Sequence, residues 1–197
     1  MSYFSSLKLH NFRCYAQAAL ADLSSGLIVL YGANGAGKTN VLEAVSLLSP
    51  GRGLRGAKVM DMQSTSAGQP WAVAGGLLTD YGPVQLGTGL DAAAEKRIIR
   101  INGENARGQS ALSDHVACVW LTPQMDRLFL DSASHRRRFL DRLVFAFDPG
   151  HSGRVTRYEN AMRQRSRLLQ EGAEAAWITG LEAQMAETGT AIAAARL

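Results

Sequence analysis

The stretch Gly32-Ala33-Asn34-Gly35-Ala36-Gly37-Lys38-Thr39 constrains this chain more than any other, because it fits the phosphate-binding pattern G-x-x-x-x-G-K-[ST] and has the flanks that pattern needs. The apolar run 27–31 before it reads as a buried strand. Residues 38–48 after it read as a helix with Val41, Leu42, Val45 and Leu48 on one face. Glycines at 32, 35 and 37 let the backbone turn tightly and aim its N–H groups inward, while the helix that follows turns its positive end to the same spot. A polyphosphate fits there. In such a loop the Lys38 ammonium reaches the outer phosphates and the Thr39 hydroxyl holds Mg²⁺. The bland alternative is a glycine-rich strand-to-helix turn that binds nothing.

With 197 residues, 46% of them apolar, the chain can bury a real core as one domain, or one domain and part of another. No run approaches the roughly eighteen apolar residues of a membrane span, and residues 1–9 lack the layout of a signal peptide, so the expectation is a cytoplasmic protein with no membrane partner. Cys14 and Cys118 lie far apart, in no metal or redox spacing and in apolar stretches, which predicts buried thiols outside any disulfide.

Positive charge is concentrated. Residues 136–167 hold nine arginines against three acids, a local net charge of +6, although the whole chain carries only +4. Such a segment is either the footprint of nucleic acid or another polyanion, or a solvated helix face, and charge alone does not choose between them.

Along the chain, residues 3–13 alternate around Leu7 and Leu9 as a half-buried strand, and residues 16–23 return beside it. After the P-loop helix, Ser49-Pro50-Gly51-Arg52-Gly53 breaks the pattern and opens a loop carrying Arg52, Arg55 and Lys58. Strands follow at 71–79, 84–90 and 96–101, the last ending in the turn pair Asn102-Gly103, and their natural assembly is an antiparallel meander. Residues 116–121 look like a central strand that stops at Thr122-Pro123. From Ser134, a candidate cap, the character is helical: Phe139, Leu140, Leu143, Val144 and Phe147 share a face, Asp148-Pro149-Gly150 interrupts it, and two more helices close the chain.

Leu9-His10-Asn11-Phe12-Arg13, the P-loop continued through Thr39-Asn40-Val41-Leu42-Glu43-Ala44, and Thr122-Pro123 followed by Arg136-Arg137-Arg138-Phe139-Leu140-Asp141 together resemble the RecF family of bacterial DNA replication and repair ATPases, relatives of SMC and other ABC-type ATPases. Gly51-Arg52-Gly53-Leu54-Arg55 also looks like the basic stretch that follows the P-loop helix in that family. The resemblance implies an α/β fold: an ABC-type P-loop ATPase N-lobe, with mixed sheet and antiparallel meander, over residues 1–133, and an incomplete helical arm over 134–197. It implies ATP and Mg²⁺ as ligands, DNA at single-/double-strand junctions or gaps as target, a homodimer formed on ATP binding, recombination mediator proteins as partners, and roles in DNA damage repair, replication and the SOS response.

Carried over residue by residue, the resemblance makes Gly32, Ala33, Asn34, Gly35, Ala36, Gly37, Lys38, Thr39 and Asn40 the triphosphate cradle, with Thr39 on the metal. Arg13 would lie near the phosphates, its alternative being a strand-end surface charge, and Gln124 stands where relatives place a residue sensing Mg²⁺ and the γ-phosphate. Candidate nucleic-acid contacts are Arg52, Arg55, Arg154, Arg157 and Arg163. For Arg136 to Asp141 the chemistry leaves phosphate, DNA and the helix's own packing open, with packing as the default.

Two family elements are not found. No apolar strand ends in Asp-Glu, the Walker B pair that holds Mg²⁺ and orients the attacking water, and no Leu-Ser-x-Gly signature occurs. The run 143–148 is a decoy: Pro149 takes the Glu position and the pattern is that of an amphipathic helix. The chain therefore reads as the N-terminal part of a weak ATPase, with no catalytic residue assigned. A small P-loop kinase, with Arg136 to Arg138 as a lid, and a non-hydrolysing ATP-binding interaction module are the alternatives; the meander speaks against the kinase.

Overall fold

The computed structural model describes residues 2–64, 69–91, 93–172 and 174–197. They form two compact units, Met1–Cys118 and Val119–Leu197. Within the second unit the segment ahead of its first helix is tied to that helix: Arg136 donates to the carbonyls of Asp131 at 2.6 Å and Phe129 at 3.4 Å.

The first unit is built on one six-stranded sheet in the order β2-β1-β3-β4-β5-β6, with every neighbouring pair antiparallel. The strands are β1 (Tyr3–Phe12), β2 (Tyr15–Leu20), β3 (Ala72–Thr79), β4 (Gly82–Asp91), β5 (Lys96–Ile101) and β6 (Glu104–Asn105). Alternation sets the register: Leu7 and Leu9 are buried while Lys8 between them is exposed. Asn102 and Gly103 both take positive φ, 51° and 87°, the backbone that matches the twist of a tight hairpin. The meander predicted from the spacing is formed.

Helix α1 (Lys38–Leu47) packs on this sheet. It buries Val41, Ala44 and Leu47, with Leu48 just beyond, while Leu42 is half exposed, so the buried stripe is rotated from the one the apolar positions suggested. Gly75 of β3 permits the close approach, since a Cβ there would lie 2.6 Å from Leu48 Cδ1. Phe12 and Trp71 meet edge to face at 5.6 Å in the same core, and the Trp71 indole donates to Val59 O at 2.7 Å. Arg97 of β5 reaches under the helix end. Its guanidinium donates to Thr88 Oγ1 (2.8 Å), Gly51 O (2.5 Å), Gln109 Oε1 (3.1 Å) and Leu47 O, placing a cation at the negative end of α1. Burial lowers its pKa to about 10, which leaves it charged at neutral pH.

Residues 27–31 form no strand: Leu27, Val29 and Tyr31 are exposed, and only Leu30 packs against the core. Residues 116–121 form none either, and Leu121 is exposed. A continuous apolar run is a central strand only if ladder partners flank it, and among the described residues the sheet's ladders join the six strands, with one isolated bridge from Phe12 to Gln63 and none to 27–31 or 116–121. The α/β head architecture holds, but this sheet is wholly antiparallel rather than mixed.

The second unit is helical. In α2 (Ala133–Phe147) the cap is Ser132, which accepts from His135 N, while the expected cap, Ser134, sits with its hydroxyl 2.8 Å from that of Ser132. The chain breaks at 148–150 as expected, continues as α3 (His151–Glu171), ends that helix at Gly172 with φ 67°, and finishes as α4 (Ala175–Ala195). Helices α3 and α4 run antiparallel, since Arg165 pairs with Glu182 at 2.7 Å while Tyr158, earlier in α3, lies against Gly189, later in α4. No described helix is long and apolar enough to cross a membrane.

Candidate nucleotide site

The turn between β1 and β2 places Cys14 and Tyr15 beside the loop that leads into α1. Gly37, at φ 94°, is the residue that caps α1, and a Cβ on it would fall 2.4 Å from the Tyr15 hydroxyl oxygen and 2.9 Å from Cys14 Sγ. Only glycine fits both the backbone and the space. Gly32 and Gly35 also take positive φ, 144° and 84°. Tyr15 donates to Ala36 O at 3.4 Å, and burial, with the Cys14 thiol beside it, raises the Tyr15 pKa.

This winding leaves backbone donors without an acceptor. Ala36 N–H bonds Ala33 O at 3.3 Å, but the N–H groups of Gly35, Gly37, Lys38 and Thr39 have no acceptor among the described residues. They open a ten-residue helix, whose start carries partial positive charge. Lys38 Nζ folds over the loop and donates to the carbonyls of Gly32 and Ala33, both at 2.8 Å. Four unmet N–H groups and a loop-bound ammonium suit a polyphosphate. A cation is a different matter: no acid stands in the first turn of α1, and no cluster of three metal-ligating side chains occurs among the described residues. Thr39 would hold Mg²⁺ together with oxygens of the ligand and of water.

Glu43, buried to 1% exposure, organises the back of the site. Arg13 grips it at 2.6 and 2.9 Å and also donates to Asp61 O at 2.6 Å, so this residue, expected near the phosphates, is committed to a carboxylate. Arg55 donates to the same carboxylate at 2.8 Å and to Asn40 Oδ1 at 2.9 Å, and Asn40 in turn donates to Cys14 Sγ at 3.1 Å. Sequence reasoning missed Glu43 and Arg97; the available signal was a charged residue inside an otherwise apolar stripe.

The other predicted residues are dispersed. Gln124 belongs to the second unit, where it lines a small pocket with Met125, Leu128 and Arg142. Arg52 and Arg157 are exposed with no partner among the described residues. Arg154 pairs with Asp148, the decoy acid, which lies at the end of α2 and holds no strand position. Arg163 bonds Asn160 of its own helix at 2.5 Å. Arg154 and Arg163 point to opposite sides of α3, about 180° apart at 3.6 residues per turn, so the arginines of this helix make no single face. Asp141 is a packing residue, receiving His151 at 2.8 Å and both ends of the Arg196 fork. Cys14 is exposed and Cys118 half-buried, contrary to the burial expected of both.

A fold with a phosphate loop entering a helix against an antiparallel meander defines a P-loop ATPase head, and the comparisons with known proteins agree. The chain belongs to the AAA domain family, whose model matches residues 6–110. It is 48% identical to the DNA replication and repair protein RecF of Caulobacter sp. (strain K31), over 97% of this chain and 53% of the relative. To the RecF of Rhizobium leguminosarum bv. trifolii (strain WSM2304) it is 50% identical, over 98% of this chain and 52% of the relative. The resemblance read from the motifs is thereby borne out, and the chain spans about half the length of the curated relatives it matches. Among solved structures, the recombination mediator protein RecF-ATPrS in the RecFOR pathway superposes with a TM-score of 0.87 at 24% identity, covering 99% of this chain and 53% of that one. The Smc head domain of Pyrococcus furiosus gives 0.55 at 18% identity, over 99% of this chain and 59% of that one. These likenesses are of fold.

Proposed function

We propose that this chain is a nucleotide-binding portion of a RecF-type DNA replication and repair ATPase, and that it binds ATP with Mg²⁺ at the P-loop. What carries the reading is the set of unmet N–H groups of Gly35, Gly37, Lys38 and Thr39 at the start of α1, with the Lys38 ammonium over the same loop. The loop amides and Lys38 would hold the β- and γ-phosphates, and Thr39 would share the metal with them; the metal supplies charge neutralisation on the phosphates. Relatives named for DNA replication and repair, and a solved relative named with a nucleotide, support it. By the same relationship, ATP binding drives dimerisation and clamping on gapped or junction DNA in the cytoplasm, together with recombination mediator proteins. Arg52 and Arg157, exposed and without a partner among the described residues, are the residues best placed to meet phosphates of DNA; Arg55 and Arg154 would first have to leave Glu43 and Asp148.

Titration of the chain and of Lys38→Ala with a fluorescent ATP analogue tests the site. Hydrogen bonds to a charged group contribute roughly 1.5–3 kcal/mol, so the variant should bind at least about tenfold more weakly with its fold intact. Equal affinity would place the nucleotide elsewhere or nowhere.

A further inference from the structure

A concavity of about 420 Å³ lies wholly within the helical unit, bordered by α2, α3 and α4. Its apolar lining is Val155 and the half-exposed Met162 of α3, the buried Ile192 of α4, and the Tyr158 ring resting on Gly189. Arg137 and Arg138, in the second turn of α2, also line it. Both are exposed, and neither has a hydrogen bond or ion pair among the described residues. That distinguishes them from Arg136, Arg154, Arg165 and Arg196, each of which is held by a protein oxygen.

The pocket's own carboxylates leave room for an incoming anion. Asp141 is neutralised on the spot, its Oδ1 accepting from His151 Nε2 at 2.8 Å and from Arg196 Nε at 2.8 Å, and its Oδ2 from Arg196 Nη2 at 2.9 Å. Among the described residues Glu159 is the one acid of the lining without a side-chain partner, against two such arginines. The pocket therefore offers uncommitted positive charge beside an apolar hollow.

We propose that this pocket docks an acidic peptide segment of a partner protein, with one apolar side chain entering the hollow and flanking carboxylates reaching Arg137 and Arg138. Charge complementarity chooses acidic over basic segments, and the hollow chooses a peptide over nucleic acid. Backbone phosphates are met by exposed cations and make no use of an apolar lining. A peptide with an apolar anchor fills the hollow and excludes water from the arginine pairs around it, the arrangement that concentrates binding energy at a protein interface. This inference rests on the helical unit alone and stands or falls separately from the nucleotide site.

Selection of a random peptide library on the 197-residue chain, followed by titration of the enriched peptides, is the test. The enriched sequences should combine acidic residues with a bulky apolar one. Changing Arg137 and Arg138 together to Gln should weaken them about tenfold, as two solvent-facing ion pairs would, without loss of helical circular dichroism. Met162→Glu, which puts a negative charge in the lining, should weaken them by a similar factor. A selection that enriches nothing, or peptides indifferent to these substitutions, would overturn the proposal. So would an effect of the arginine substitutions confined to a DNA duplex probe, which would make the two residues phosphate contacts.

Discussion

Arg13 and Glu43, thirty positions apart in the chain, form a two-pronged ion pair with nitrogen–oxygen distances of 2.6 and 2.9 Å. Arg55 shares the same carboxylate, so one buried acid joins the end of β1, the second turn of α1 and the basic loop that follows the helix. A carboxylate at 1% exposure is tolerable there only because two guanidinium groups neutralise it. Glu43→Ala would take the carboxylate from both arginines, leaving Arg13 its bond to Asp61 O and Arg55 its bond to Asn40 Oδ1. Since Arg13 and Arg55 are themselves 19% and 41% exposed, water can recover part of their solvation, and the expected cost is about 1–3 kcal/mol. Urea unfolding of the two forms measures it; an unchanged midpoint would show that the cluster adds nothing to stability.

Gly37 is the position where the loop tolerates least. Alanine there must adopt φ 94° and place its Cβ against the Tyr15 hydroxyl, so the loop has to rewind. Gly37→Ala should abolish binding of the ATP analogue while leaving most of the sheet intact. Adding Tyr15→Ala removes the nearest clash but leaves Cys14 Sγ at 2.9 Å and the unfavourable φ, and should recover only part of the affinity. Full recovery in the double variant would show that crowding, and not backbone geometry, makes glycine necessary.

Arg97 ties β5 to the carbonyl end of α1. Replacing it with Met keeps the stem but leaves Leu47 O and Gly51 O without their donor, for an expected loss of about 2–4 kcal/mol. Thermal unfolding reads the loss directly. Arg97→Lys, with one charge but no planar fork, should fall between the two.

What could be read from the sequence was whatever depends on neighbours along the chain. Alternation around Leu7 and Leu9 and the Asn102-Gly103 pair foretell strands and a hairpin because strand faces and turn angles are local properties. The phosphate loop is legible for the same reason, its glycines acting on their own backbone. Residues 27–31 show the limit: apolarity says that a segment seeks burial, not what will cover it, and Leu27, Val29 and Tyr31 stay exposed among the described residues. The Glu43 and Arg97 contacts were illegible because each depends on distant strands meeting one helix. Spacing also misled on α3, where a count of arginines hid the fact that Arg154 and Arg163 face opposite ways.

Catalysis of phosphoryl transfer needs the phosphate cradle together with carboxylates that hold the metal and orient water. Here Asp148, the acid nearest to that pattern in sequence, is bound to Arg154 at the end of a helix, and no Asp-Glu pair occurs in the 197 residues. The direct measurement is phosphate release from the 197-residue chain and its Lys38→Ala variant, each mixed with ATP and Mg²⁺, alongside nucleotide binding by the same samples. Lys38-dependent binding without release is the expected result. Binding that ignores Lys38 would contradict the site, and Lys38-dependent release would show that a carboxylate of this chain completes the catalytic centre.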